Sequence, residues 1–182
     1  MKATGIVRRI DDLGRVVIPK EIRRTMRIRE GDPLEIYTDR EGEVIFKKYS
    51  PIGELSAFSS QYAEAMWKTC GIAVIICDRD AVIACAGVPK KEYLEKRVSE
   101  KLESVMSGRS LYVSGSEEHV CAVHDGGGYT IGCAMPIVNE GDVIGCVAAI
   151  HSSDSKESEI GGDLEQKLVS TAASFLGKQM ES

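Results

Sequence analysis

The first fifty residues are cut by turn and breaker residues into runs too short to make a domain unaided. Gly5-Ile6-Val7-Arg8-Arg9-Ile10 is followed by Asp11-Asp12-Leu13-Gly14 and then by Arg15-Val16-Val17-Ile18-Pro19, a pattern that predicts strand, turn and strand. Pro19 cannot donate to a ladder but suits the first turn of a helix. Lys20-Glu21-Ile22-Arg23-Arg24-Thr25-Met26 continues with Ile22 and Met26 on one face. Gly31-Asp32-Pro33 ends that helix or the loop after it, and Leu34 to Tyr37 and Val44 to Phe46 flank Thr38 to Glu43 as a second hairpin. Such short strands and one short helix bury little apolar area, and domains of this size generally need disulfides, a metal or a partner chain. None of the six cysteines lies in this segment. Oligomerisation is therefore the physical expectation.

Charge divides the chain in the same place. Residues 1–50 hold 12 Lys and Arg against 9 Asp and Glu, and the rest holds 11 against 19, so the net charge of -5 conceals a basic end. Within residues 1–30 the excess sharpens to 9 against 4. An acidic average thus leaves nucleic acid open as a partner and confines the basic surface to one end. With 43% hydrophobic and 28% charged residues the chain has the balance of a soluble globular protein. Arg8 and Arg9 arrive before any apolar run, and stretches such as Ile72 to Cys77 fall far short of the roughly 20 residues a membrane helix needs. No secretory signal, no membrane partner and a cytoplasmic location are expected.

Ser50-Pro51-Ile52-Gly53 combines turn formers with the change of charge sign, which predicts a domain over residues 1–50, a linker over 51–55 and a second domain over 56–182. Glu54 to Thr69 lacks Gly and Pro and repeats Leu55, Phe58, Tyr62, Ala65, Met66 and Thr69 at helical spacing. That stripe fits either core packing or a subunit interface. Gly71 to Asp78 and Ala81 to Gly87 read as paired strands, and Pro89 to Gly108 as a charged helix. Ser110 to Val113, Val120 to His124, Tyr129 to Val138 and Val143 to His151 are further strand candidates, with Asn139-Glu140-Gly141-Asp142 as a hairpin turn. A largely antiparallel sheet is expected, followed by a final helix from Ser158 carrying Ile160, Leu164, Leu168, Val169, Ala172, Phe175 and Leu176.

The arginines carry the sharpest functional signal. Arg8 and Arg9 lie in the first strand, Arg15 follows the turn, and Arg23 and Arg24 lie in the helix after Pro19. A guanidinium donates two parallel hydrogen bonds from a planar fork, which suits phosphates and guanine edges. A two-fold dimer doubles the set and would present two patches to adjacent turns of duplex DNA, with steep salt dependence. A solvated basic face paired with Asp11, Asp12 and Glu21 is the plainer alternative.

The run from Thr4 to Arg24, continued by Gly31 to Tyr37, resembles the swapped-hairpin DNA-binding domain of AbrB-type transition-state regulators over about residues 1–50. A Leu13-Gly14-Arg15 turn, a Val17-Ile18-Pro19 exit and the pair Arg23-Arg24 occur in register. The resemblance implies that two chains interleave their hairpins into a β-barrel-like dimer. It also implies that Arg8, Arg15, Arg23 and Arg24 contact double-stranded DNA, with Arg9 and Lys2 as accessory phosphate contacts. The following order of helix, strands, helix, strands and terminal helix resembles a GAF domain, a class that commonly binds small molecules between the sheet and its covering loops. The expected fold class is α+β: an AbrB-like swapped-hairpin barrel dimer followed by an α/β GAF-like domain with an antiparallel sheet. The whole arrangement is similar to sporulation regulators of endospore-forming bacteria, which implies a transcription factor that activates some genes and represses others. Contact between the helices near 54–69 and 158–180 would then build a dimer of dimers, a homotetramer. The GAF-like domain either senses an unidentified small-molecule ligand or serves oligomerisation alone. Because AbrB-type domains also occur in antitoxins, an antitoxin-like regulator is the other reading, although about 130 further residues with a sheet pattern suit a folded sensor better than an inhibitory tail.

Enzyme chemistry finds no comparable pattern. The cysteines, at positions 70, 77, 85, 121, 133 and 146, include no CxxC and mostly sit in apolar runs, where they act as small hydrophobes. His119, Cys121 and His124 could meet Cys133 across a hairpin, but the alternating Val120 and Ala122 read better as an ordinary strand. His124-Asp125-Gly126-Gly127-Gly128 lacks the Lys-Ser/Thr of a phosphate-binding loop and reads as a turn. Nothing singles out a nucleophile pair from Cys121 or Cys133 with His119, His124 or His151. No catalytic residue, cofactor or metal is assigned.

Overall fold

The computed structural model describes residues 4–115, 120–124, 128–152 and 162–180. They fall into two compact units, Met1–Tyr49 and Ser50–Ser182.

In the first unit, helix α1 (Lys20–Met26) is followed by strands β1 (Leu34–Thr38) and β2 (Val44–Lys48). The two strands pair antiparallel from Leu34 opposite Lys48 to Thr38 opposite Val44, so the second expected hairpin is present. The Asp39 carboxylate organises its turn by accepting from the N–H groups of Glu41 and Glu43, each at 2.9 Å. The first expected hairpin differs. Its turn at 11–14 forms, but the runs on either side make no ladder within the chain. The reason is visible in their apolar side chains: Val7 is 84% exposed, Ile10 69% and Val17 70%. Among the described residues of this unit nothing covers these runs or pairs their backbone, and strands need both.

The second unit opens with α2 (Pro51–Glu54) and α3 (Ser56–Cys70). The stretch 51–55, read from sequence as a linker, is thus helical over Pro51–Glu54. Ser50 caps it by accepting from the Gly53 N–H at 3.2 Å, and Ile52 is fully buried. Strands β3 (Val74–Asp78) and β4 (Val82–Ala86) form the expected hairpin. Helices α4 (Lys90–Tyr93) and α5 (Glu100–Ser107), strands β5 (Tyr112–Val113), β6 (Tyr129–Asn139) and β7 (Asp142–Ser152), and helix α6 (Gly162–Gln179) complete it. Among the described residues the sheet has five strands in the order β4-β3-β7-β6-β5, with every neighbour antiparallel.

Alternation along β3 sends Val74 and Ile76 to one face and Ile75 and Cys77 to the other. The first face packs on α3 and α6 through Ala63, Met66, Val169, Ala172, Ala173 and Leu176. The opposite face is covered by Tyr93, Val98, Leu102 and Met106 from α4, α5 and the segment between them. Helix α6 lies so close to β6 that a Cβ on Gly177 would strike the Val138 carbonyl oxygen.

Three further expectations change. The single helix over 89–108 is broken, because Leu94 is extended, Glu95 has φ +62°, and the backbone from Glu95 to Val98 pairs with the sheet edge instead. Val82 donates to the Lys96 carbonyl at 2.9 Å, Glu95 donates to the Val82 carbonyl at 2.8 Å, and Val98 donates to the Asp80 carbonyl at 3.0 Å. Satisfying those edge groups outweighs helix propensity. Val120 to His124 makes only an isolated bridge, Val98 to Val123, rather than a strand. The buried face of α3 is Ser59, Ala63 and Met66, whose small members allow close approach to the sheet; Ala65 and Thr69 are exposed.

Candidate nucleic-acid interface

The turn that carries Arg15 is built by Asp11. Its carboxylate accepts from the N–H of Leu13 at 3.0 Å and of Arg15 at 2.8 Å, and from Nε of the Arg15 side chain at 2.8 Å. Backbone bonds close the loop, with the Asp11 N–H donating to the Arg15 carbonyl and the Gly14 N–H to the Asp11 carbonyl, both at 3.0 Å. Gly14 takes φ +76°, a conformation glycine adopts at least cost. The Arg15 N–H first, and then its side chain, hold the Asp11 carboxyl below its ordinary range. Sequence reading set Asp11 aside as a partner in a solvated face, whereas the structure makes it the residue that aims Arg15. The Asp-x-x-Gly spacing was the available signal.

Arg23 and Arg24 ride on a separate element. Pro19 precedes α1 and its carbonyl accepts from the Arg23 N–H at 2.9 Å, so the proline sits at the helix start as expected. Both arginines occupy the last turn, where cations complement the helix dipole. Arg8, Arg15, Arg23 and Arg24 are all exposed. Arg8 donates only to the neighbouring Val7 carbonyl, at 3.0 Å, and the guanidinium groups of Arg23 and Arg24 have no partner among the described residues. Arg9 is exposed as well, and Lys2 lies outside the described residues. The unit therefore offers planar, charged forks free to receive phosphate oxygens or guanine edges.

The second unit has its own polar cluster. His151 on β7 meets the buried Glu165 of α6 at 2.8 Å, and the Cys133 thiol donates to the same carboxylate oxygen at 3.6 Å. The Glu165 hydrogen bond pulls the His151 pKa up from its ordinary value against the opposing effect of burial. Burial and the neighbouring carboxylate push the Cys133 thiol to about 12, the reverse of an activated nucleophile. On the opposite face of the sheet, Tyr93 stacks edge-on against Tyr129, and its buried hydroxyl has no hydrogen-bond partner among the described residues. Among those residues no group of three His, Cys, Asp or Glu is placed to hold a metal, and no helix is long and apolar enough to cross a membrane. His119 and most of the 124–128 glycine turn lie outside the described residues.

Residues 54–181 match the family described as stage V sporulation protein T C-terminal, transcription factor. Across the full length the chain is 56% identical to stage V sporulation protein T of Bacillus subtilis (strain 168), covering 99% of that protein. The chain belongs to the stage V sporulation protein T family. Residues 7–53 match the family described as antidote-toxin recognition MazE, bacterial antitoxin. The same end is 65% identical over 51 residues to the transition state regulatory protein AbrB of B. subtilis, spanning 28% of this chain and 52% of AbrB. The first unit of this stage V sporulation protein T family member is therefore AbrB-like. For the second, the crystal structure of the A. aeolicus nlh2 GAF domain covers 71% of this chain and 91% of its own at 14% identity with a TM-score of 0.52, which establishes a GAF-like fold and nothing more.

Proposed function

We propose that this protein is a sporulation transcription regulator that grips double-stranded DNA as a swapped dimer, through Arg8, Arg15, Arg23 and Arg24, activating some genes and repressing others. The observation that carries the reading is the first hairpin. Its turn is organised by Asp11 around Arg15 while its flanking runs lie unpaired and apolar among the described residues, the condition expected of a hairpin completed by a second copy. Pairing two copies would bury Val7, Ile10 and Val17 and double the free guanidinium groups on one assembly. The test is a gel-shift titration at physiological salt. Arg15→Ala or Arg23→Ala should weaken binding by more than about tenfold with the fold intact; unchanged affinity would contradict the assignment.

The GAF-like unit is proposed to assemble dimers into a tetramer and to sense a small molecule. Support for a ligand comes from Tyr93: a buried hydroxyl without a partner is costly, and a bound polar group would relieve it. Calorimetry against nucleotides, amino acids and acyl metabolites discriminates, since persistent absence of heat and of thermal stabilisation would leave a purely structural module. The antitoxin-like alternative draws on the match over residues 7–53. A pull-down yielding no stoichiometric protein partner would count against it.

A further inference from the structure

One ion pair in the first unit lies off the arginine surface, yet it bears on the helix that carries Arg23 and Arg24. Asp32 and Lys48 meet at 3.5 Å, and the Asp32 side chain is only 4% exposed and that of Lys48 25%. Neither was singled out by sequence reading. Lys48 stands at the end of β2, opposite Leu34, where the Tyr49 N–H also ties back to the Pro33 carbonyl at 3.0 Å. From there its ammonium donates to the carbonyl of Arg27 at 3.0 Å. Arg27 is the residue that terminates α1, held at φ +54° in the left-handed region, a costly conformation for a side chain of this size. On the other side, the Asp32 carboxylate accepts from the Arg29 N–H at 2.8 Å, and the Asp32 N–H returns to the Arg29 carbonyl at 3.2 Å.

The same short turn closes on the arginines themselves. The Arg23 carbonyl accepts from the Ile28 N–H at 2.8 Å and the Arg24 carbonyl from the Arg27 N–H at 3.3 Å. A nearly buried carboxylate and its ammonium partner thus fasten the C-terminal end of α1 to the β1–β2 hairpin, in a helix that buries no residue of its own.

We propose that Asp32 and Lys48 form a clamp that aims α1, and with it the guanidinium groups of Arg23 and Arg24, making them positioning residues for DNA binding. The proposal rests on the DNA-binding reading above. It gives a sign that simple electrostatics does not. Removing the Asp32 charge takes a negative group away from a polyanion, which by charge alone tightens binding; loss of the clamp weakens it.

The test uses the full chain with a fluorescein-labelled DNA duplex of mixed sequence several helical turns long, read by anisotropy across a potassium chloride series. Asp32→Asn should bind about tenfold more weakly. The slope of log affinity against log salt should shrink by about two per protomer, as expected when two arginines leave their phosphates. In an Arg23→Ala/Arg24→Ala background the same change should have little further effect. Lys48→Met should behave like Asp32→Asn and Lys48→Arg should restore binding; Lys48→Met carries these expectations alone if Asp32→Asn fails to fold by circular dichroism. Equal or tighter binding by a folded Asp32→Asn, or a loss that adds in full to that of the double arginine variant, overturns the clamp. A wild-type chain that leaves the duplex free at low salt overturns the DNA-binding reading and the clamp with it, whereas normal wild-type binding beside an unmoved variant removes the clamp alone.

Discussion

His151 and Glu165 show how two side chains fourteen residues apart, one on a strand and one on a helix, can set a pH dependence. A Cβ on the facing Gly132 would collide with the His151 ring and crowd Glu165 Oε1 at 3.0 Å, so the pair occupies space that only glycine leaves open. Because the folded pKa of His151 is raised above its ordinary 6.5, the stability this pair contributes is present below that value. It is lost as pH rises through the raised folded value. Denaturant midpoints of the wild-type chain should therefore fall as pH rises from below 6.5 through the raised folded value, while those of His151→Gln stay flatter. Parallel curves for the two proteins would show that the histidine stays neutral. Glu165→Ala, which strips the half-buried His151 imidazole of its partner, should cost about 1–3 kcal/mol below pH 6.5. The residues on which function is staked differ in character. The arginines are exposed, and their use is legible from type and spacing; Asp11 and Asp32 act by accepting hydrogen bonds that only a folded backbone aligns.

At the level of elements, α6 is the most demanding. Asn139 donates to the Gly177 carbonyl at 3.2 Å, and Gly177 itself faces the Val138 carbonyl, so helix and strand touch backbone to backbone. Gly177→Ala should destabilise the chain by about 1–3 kcal/mol through overpacking, although alanine is the better helix former. A raised melting temperature for that variant would mean the contact relaxes freely. Strands and hairpins were largely legible because alternation and turn chemistry are local: β3 with β4, and β6 with β7 around Asn139 to Asp142, stand where the pattern put them. The charged helix over 89–108 was not, since its apolar spacing is helical throughout and only the open edge of β4 explains why Leu94 to Val98 leaves the helix. The same holds for α3, where Phe58 and Tyr62 fit the stripe but remain half-buried against Phe175, at ring separations of 5.8 and 5.9 Å.

Those aromatics matter at the scale of the whole molecule. Phe175 is 39% exposed, and Leu164 on the same helix 53%, on the side of the sheet where α3 and α6 lie. A four-helix contact with a second GAF-like unit would cover them, and the proposed pairing of the first hairpin would supply an independent contact. Two such interfaces per chain should give a tetramer by sedimentation velocity at micromolar concentration, and Phe175→Glu should reduce it to a dimer that still binds DNA. A wild-type chain sedimenting only as a dimer would remove the second interface. The opposite charges of the two ends predict further that DNA affinity falls steeply with salt despite the net charge of -5.

What the sequence determined by itself is whatever its local chemistry encodes: two units of opposite charge, a turn at Asp11 to Gly14, a helix opening after Pro19, strands that alternate, and the arginines from Arg8 to Arg24. The expectation of a partner chain also came from it, because fifty residues without a staple bury little apolar area. Only the tertiary structure decided which face of α3 is core, where the 89–108 helix breaks, and that Glu165 finds His151 and Asp32 finds Lys48. Each of these depends on groups brought together from elsewhere in the chain, where burial and the need to satisfy every polar atom outweigh the preferences of any short segment.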